Sequence, residues 1–109
     1  MKKIIDNIRY DTDKSEYIAG EQISLHIYNS FYRTNESLHR TSKGKLFLYG
    51  ESSAGGTYGR SDGNTQWGGE DIIPMTPAEA WEWAQNSRNL NSEDMEKIAE
   101  ICGIEIVDA

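Results

Sequence analysis

Cysteine is almost missing from this 109-residue chain. Cys102 stands alone, which excludes an internal disulfide framework and fits a reducing, intracellular compartment. Long apolar runs are missing too. No stretch nears the roughly 18 apolar residues of a membrane span, and the opening Met1-Lys2-Lys3-Ile4-Ile5-Asp6 lacks the apolar core of a signal peptide. Histidine is scarce: His26 and His39 have no second histidine or cysteine at ligand spacing, so no metal site is expected. Bases are nearly absent from the last forty residues. Residues 70–109 hold ten acids against Arg88 and Lys97, a balance of −8, whereas residues 1–69 hold eight acids against nine bases. The overall charge of −7 and the single, scattered bases Arg9, Arg33, Arg40, Lys43 and Lys45 disfavour direct nucleic-acid binding. A one-sided negative field steers a small protein towards basic surfaces.

Signatures of catalysis are missing as well. The chain has no G-x-x-x-x-G-K-[ST] and no G-x-G-x-x-G. Cys102 lies on the apolar stripe of a helix with nothing basic beside it in sequence, the setting of a buried small hydrophobe. The expectation is a non-enzymatic protein that needs no cofactor.

What is present suffices for one domain over residues 1–109 with a single modest core. Hydrophobic residues make up only 37%, but six Tyr, three Trp and two Phe bring large buried areas. The spacing predicts an α+β fold: a small antiparallel sheet, a short N-terminal helix and two C-terminal helices packed on one side. Asp6-Asn7 between Lys2–Ile5 and Ile8–Tyr10 suits a two-residue hairpin turn. Asp11-Thr12-Asp13 offers caps for a helix over roughly 14–19, stopped by Gly20. Ile23, Leu25 and Ile27 alternate with Ser24, His26 and Tyr28, extended character continues over 31–41, and Lys45–Tyr49 is the most hydrophobic strand. Residues 22–51 are thus read as the central strands. Residues 52–69 read as a Gly-rich loop, since seven of the ten glycines fall between Gly50 and Gly69; its Tyr58, Arg60 and Trp67 are candidates to order on a partner. Ile72-Ile73 reads as a last short strand.

Two acidic helices are expected over 76–102. Thr76-Pro77-Ala78-Glu79 carries a capping box with proline at the first helical position. Ser92-Glu93-Asp94 puts acids in a first turn, Met95, Ile98, Ala99 and Cys102 follow the i, i+3, i+4, i+7 stripe, and Gly103 ends it. Ile104 and Ile106 alternate in a tail that suits an edge strand. At 100° per residue, Trp81 shares a face with Ala84 and Gln85, while Trp83 points nearly opposite, beside Glu79, Glu82 and Asn86. Trp83 is then either covered by the loop or tail, or a partly exposed aromatic ringed by acids, as interface hot spots often are.

Several stretches, in order, resemble a family of small proteins carried by bacterial phages, plasmids and integrative elements. They are Arg9-Tyr10-Asp11-Thr12, Leu38-His39-Arg40-Thr41 with Gly44, Phe47-Leu48-Tyr49-Gly50-Glu51, Gly68-Gly69-Glu70-Asp71-Ile72-Ile73-Pro74-Met75-Thr76, and Glu79-Ala80 with Trp83-Ala84. Some members of that family are anti-CRISPR inhibitors of type II-A Cas9. The resemblance implies a target class: a Cas9 or another basic nucleic-acid-handling protein, met in the cytoplasm of the bacterial host by a monomer or dimer of this chain. It implies no catalytic residues. The contact residues expected are Glu79, Glu82, Trp83, Glu93, Glu96 and Glu100, with Trp83 as the apolar anchor. The alternative is a mobile-element accessory protein that binds another host protein through the Gly-rich loop.

Overall fold

The computed structural model describes residues 1–24 and 33–109, with side chains for 1–21 and 33–109. The alternation expected at Leu25 and Ile27, His26 and Tyr28 between them, and the side chain of Ile23 lie outside the described residues.

The chain opens with a hairpin of β1 (Lys2–Ile5) and β2 (Ile8–Asp11). Its turn residues Asp6 and Asn7 have φ of +53° and +67°, the left-handed pair that short-side-chain Asp and Asn tolerate and that matches the twist of the flanking strands. Ile5 therefore faces Ile8 across the turn.

The N-terminal helix expected next is not formed. One 3₁₀ turn over Thr12–Lys14, capped by the Asp11 carboxylate accepting from the Asp13 N–H at 3.0 Å, leads directly into β3 (Glu16–Ser24). Pairing with the next strand overrides the local helix signal. Tyr17 lies opposite His39 and Ala19 opposite Leu38, so Ile18 is an extra residue in a bulge. That bulge lets two consecutive residues, Ile18 and Ala19, enter the same core, a pattern that resembles helical spacing in sequence. Gly20 sits inside the strand and stops nothing.

A four-stranded antiparallel sheet follows, in the order β3–β4–β5–β8, with β4 over Arg33–Arg40, β5 over Leu46–Ser52 and β8 over Gly69–Met75. The segment 52–69 is not all loop: Arg60–Asp62 (β6) and Thr65–Trp67 (β7) pair as a small hairpin. Each end of the segment belongs to the main sheet, where Ser52 faces Gly69.

Helix α1 (Pro77–Asn86) begins as the sequence predicts. Thr76 Oγ1 accepts from the Glu79 N–H at 3.1 Å and Glu79 accepts from the Thr76 N–H at 2.9 Å. Helix α2 (Ser92–Cys102) is capped one residue earlier than Ser92, by Asn91, whose side-chain oxygen accepts from the Asp94 N–H at 2.8 Å. Gly103, at φ +72°, ends it. The tail forms no edge strand. Its first N–H, that of Ile104, is bound at 2.8 Å to Ala99 O, which holds the chain to the helix end, and Ile106 and Val107 are exposed.

Both faces of the sheet are covered. The alternation of β5 sends Leu46 to one side, where it joins Ile18, Ala19, Leu38, Ala80, Ala84 and Ile98 beneath the helices. Phe47 goes to the other, where it meets Tyr10 of the hairpin and Ile72; Tyr10 and Phe47 contact edge to face with centroids 5.5 Å apart. Ile98→Ala empties the sealed contact between α2 and the sheet and is expected to lower stability by about 2–5 kcal/mol, read from the urea midpoint. Ile106→Ala in the exposed tail should change it by less than about 0.5 kcal/mol.

Candidate binding surface

The expected contact residues divide into two groups. Glu79, Glu82, Glu93, Glu96 and Glu100 are all exposed on the two helices. Glu82 follows Glu79 by three residues on α1, and Glu93, Glu96 and Glu100 follow the i, i+3, i+7 line on α2, opposite the buried Ile98 and Ala99. Among the described residues no ion pair involves any of the five. Lys97, the one base on α2, acts instead on Glu16 of β3, whose carboxyl is held below its ordinary range chiefly by the hydrogen bond and charge of Arg40. Glu79 is partly committed to its own helix, since its capping bonds hold its carboxyl below the ordinary range.

Trp83 does not stand among the acids as an exposed anchor. The buried line of α1 runs through Ala80 and Ala84. At 100° per residue Trp81 and Trp83 each lie roughly 80° to either side of it. Two alanines at the contact let the helix approach the sheet closely, and both tryptophans then reach down as half-buried flanks of the same core.

The Trp83 indole Nε1–H donates to Glu36 Oε1 on β4 at 3.1 Å. The other oxygen, Oε2, accepts from the Tyr58 hydroxyl at 2.6 Å. Tyr58 comes from the Gly-rich segment, and its ring occupies the space that a Cβ on Gly50 would fill. Gly50 is the register partner of Glu36 on β5, so the missing side chain is what admits the ring beside the carboxylate. Burial, then the bond to Glu36, pushes the Tyr58 phenol far above its ordinary range and keeps it a donor. The segment is pinned further where Tyr58 N–H donates to Ser52 Oγ at 2.8 Å and Thr57 N–H to Thr34 Oγ1 at 3.0 Å. Of its three candidate residues, Tyr58 is thus used by the fold itself. Arg60 and Trp67 are cross-strand partners on the small hairpin and are exposed.

Glu36 also faces Glu21 directly across β3. The Glu21 Oε2 atom is shielded from solvent and has no hydrogen-bond partner among the described residues. Burial, then the charge of Glu36, raises the Glu21 pKa above the ordinary carboxylate range.

Of the side chains weighed for metal or nucleophilic chemistry, His39 and Cys102 are among the described residues. His39 is buried, its Nδ1 3.0 Å from Ser15 Oγ and its Nε2 2.9 Å from Ser37 Oγ. It is stacked on Phe47 at 5.1 Å, and burial lowers its pKa, which keeps it neutral at physiological pH. Burial raises the Cys102 thiol, the opposite of activation. Among the described residues, no three His, Cys, Asp or Glu side chains converge to hold a metal ion. No helix among them is long and apolar enough to cross a membrane.

Sequence reasoning missed Glu36, Glu21 and the Tyr58–Gly50 contact. The glycine in the most hydrophobic strand was a local signal of close approach, but what approaches it comes from eight residues further on. Comparison with protein-family models, with curated proteins and with solved structures gives no match.

Tyr58→Phe leaves one oxygen of Glu36 without its donor and is expected to cost about 1–3 kcal/mol. Gly50→Ala should cost more, because it displaces the ring itself; urea denaturation of both variants checks the order. For Glu21, a folded-state pKa above the unfolded value makes its contribution most favourable below the unfolded pKa, and that contribution is lost as pH rises through the folded pKa. Glu21→Gln is therefore expected to be more stable than the parent at pH 7 to 8, with the difference vanishing as the pH falls below that of an ordinary carboxyl. Thermal melts across that range test the sign.

Proposed function

We propose that this protein is a non-enzymatic anti-CRISPR inhibitor that binds a type II-A Cas9 in the cytoplasm of the bacterial host. The acidic outer face of its two helices is set against a site where the nuclease otherwise holds nucleic acid. Cas9 grips its guide–target heteroduplex in a positively charged channel and reads the adjoining motif with arginines. A rigid display of carboxylates suits such a surface as a phosphate mimic.

The observation that carries this reading is the placement of Glu82, Glu93, Glu96 and Glu100. All four are exposed on a helical layer anchored to the sheet, and among the described residues none is neutralised by an ion pair. The ordered run of motifs that resembles the phage and mobile-element family supplies the target class. The role of Trp83 changes. It serves as the tie between α1 and Glu36, so the contact set is Glu82, Glu93, Glu96 and Glu100, with Glu79 at its margin.

A second reading, an accessory protein that binds another host protein, is favoured by one feature: Trp67, 44% exposed, beside Arg60 on the small hairpin.

A cleavage assay with purified Cas9, guide RNA and target DNA, run on several type II-A orthologues, tests the proposal. Inhibition of at least one orthologue is expected, with nuclease and guide intact afterwards. Binding should weaken at least about tenfold between about 50 mM and 500 mM salt. Replacing Glu82, Glu93, Glu96 and Glu100 by lysine should weaken it by at least about tenfold at low salt. Inhibition unaffected by that fourfold reversal removes the helical face from the mechanism. Inhibition lost on Trp67→Ala moves the contact to the hairpin.

A further inference from the structure

The sheet carries a second acidic feature on the face turned away from the helices. Beyond the part that the N-terminal hairpin covers, a groove of about 310 Å³ opens over β3, β4 and β5, at the small end of ligand-pocket sizes. Gly20 and Ser37, opposite each other in register, give it a low floor. Tyr17 bounds one side, 59% exposed and set edge-on against His39 at 5.7 Å. Tyr49 bounds the other, and Asn35 and Glu51 close one end. No lysine or arginine is among the lining residues.

The charges around Tyr49 are unbalanced. Its hydroxyl donates to Glu70 at 2.6 Å, and Glu70 lies directly opposite Glu51 on the neighbouring strand. Like charges placed directly opposite on a sheet destabilise it. Among the described residues no base pairs with either carboxylate; Glu51 accepts from the Asn35 amide at 3.2 Å, and its charge adds to that of Glu70 on the Tyr49 hydroxyl. A groove walled by two phenol rings and lined by Glu51, with Glu70 adjoining it through Tyr49, is complementary to a planar cation. The rings offer their π-surfaces, and the carboxylates accept the charge-assisted hydrogen bonds that a guanidinium fork donates in parallel.

We propose that this groove binds an arginine side chain presented by a basic segment of a partner protein, its guanidinium held between Tyr17 and Tyr49 and paired with Glu51 and Glu70. The groove and the outer face of the helices lie on opposite sides of the sheet, so this site stands whether or not the helical face is the inhibitory one.

The test is an NMR titration of the full chain with N-acetyl-arginine amide as the probe and N-acetyl-citrulline amide, its uncharged isostere, as the control. The expected result is saturable shifts of the Tyr17 and Tyr49 ring signals with the arginine compound and none with citrulline. Glu51→Gln, whose amide oxygen still accepts from Asn35, should weaken the arginine effect by at least about fivefold with a melting temperature no lower than the parent's, since it removes one of two opposed like charges. Ring signals that do not move, that move equally with citrulline, or that respond undiminished in Glu51→Gln overturn the proposal.

Discussion

A single carboxylate on the second strand of the sheet joins parts of the chain that are far apart in sequence. Glu36 receives the indole N–H of Trp83 from α1 on one oxygen and the hydroxyl of Tyr58 from the Gly-rich segment on the other. An ionised carboxylate so placed is stable because both oxygens have donors; with either one missing, the half-buried charge is left uncompensated. Through this group the position of α1 and the path of residues 50–60 are set together. Gly50 is the steric condition for that arrangement, since any side chain there excludes the Tyr58 ring.

Charge is organised around the same sheet. Two pairs of glutamates are opposed in register, Glu21 with Glu36 and Glu51 with Glu70. The first pair lies on the helix side, where the donors to Glu36 localise one charge and burial disfavours ionisation of the other. The second lies on the opposite side, beside a groove with aromatic walls. The exposed acids of α1 and α2 add a third negative surface. Bases in the first half of the chain are partly spent internally, Lys3 on Asp71 and Arg40 on Glu16. The outcome is a small domain with negative surfaces on both sides of its sheet, which is how the proposed anti-CRISPR reading and the proposed arginine site are physically related while remaining separable by experiment.

Local chemistry was legible where a few adjacent residues decide the outcome. Asp6-Asn7 gave the hairpin turn, Thr76-Pro77-Ala78-Glu79 the start of α1, Gly103 the end of α2, and the i, i+3, i+4 stripe around Ile98 its buried face. It misled where strand pairing outweighed local preference. The segment after Asp13 reads as a capped helix, yet Glu16–Ser24 becomes an edge strand because a bulge at Ile18 buries two neighbours at once. The Gly-rich stretch reads as a loop, yet part of it pairs with itself and Tyr58 is drawn into the fold. Trp83 reads as facing away from Trp81, which is true of their directions, but the buried line passes between them along Ala80 and Ala84.

The sequence alone determined the charge asymmetry, the caps and turns, and the presence of an α+β domain with two acidic C-terminal helices, because these follow from composition and from contacts within about four residues. Only the tertiary structure decided which acids meet. Register across strands put Glu21 against Glu36 and Glu51 against Glu70, and the packing of α1 brought Trp83 to Glu36 across 47 residues. Those pairings arise from loop closure and sheet alignment, neither of which is encoded in any short window of the chain.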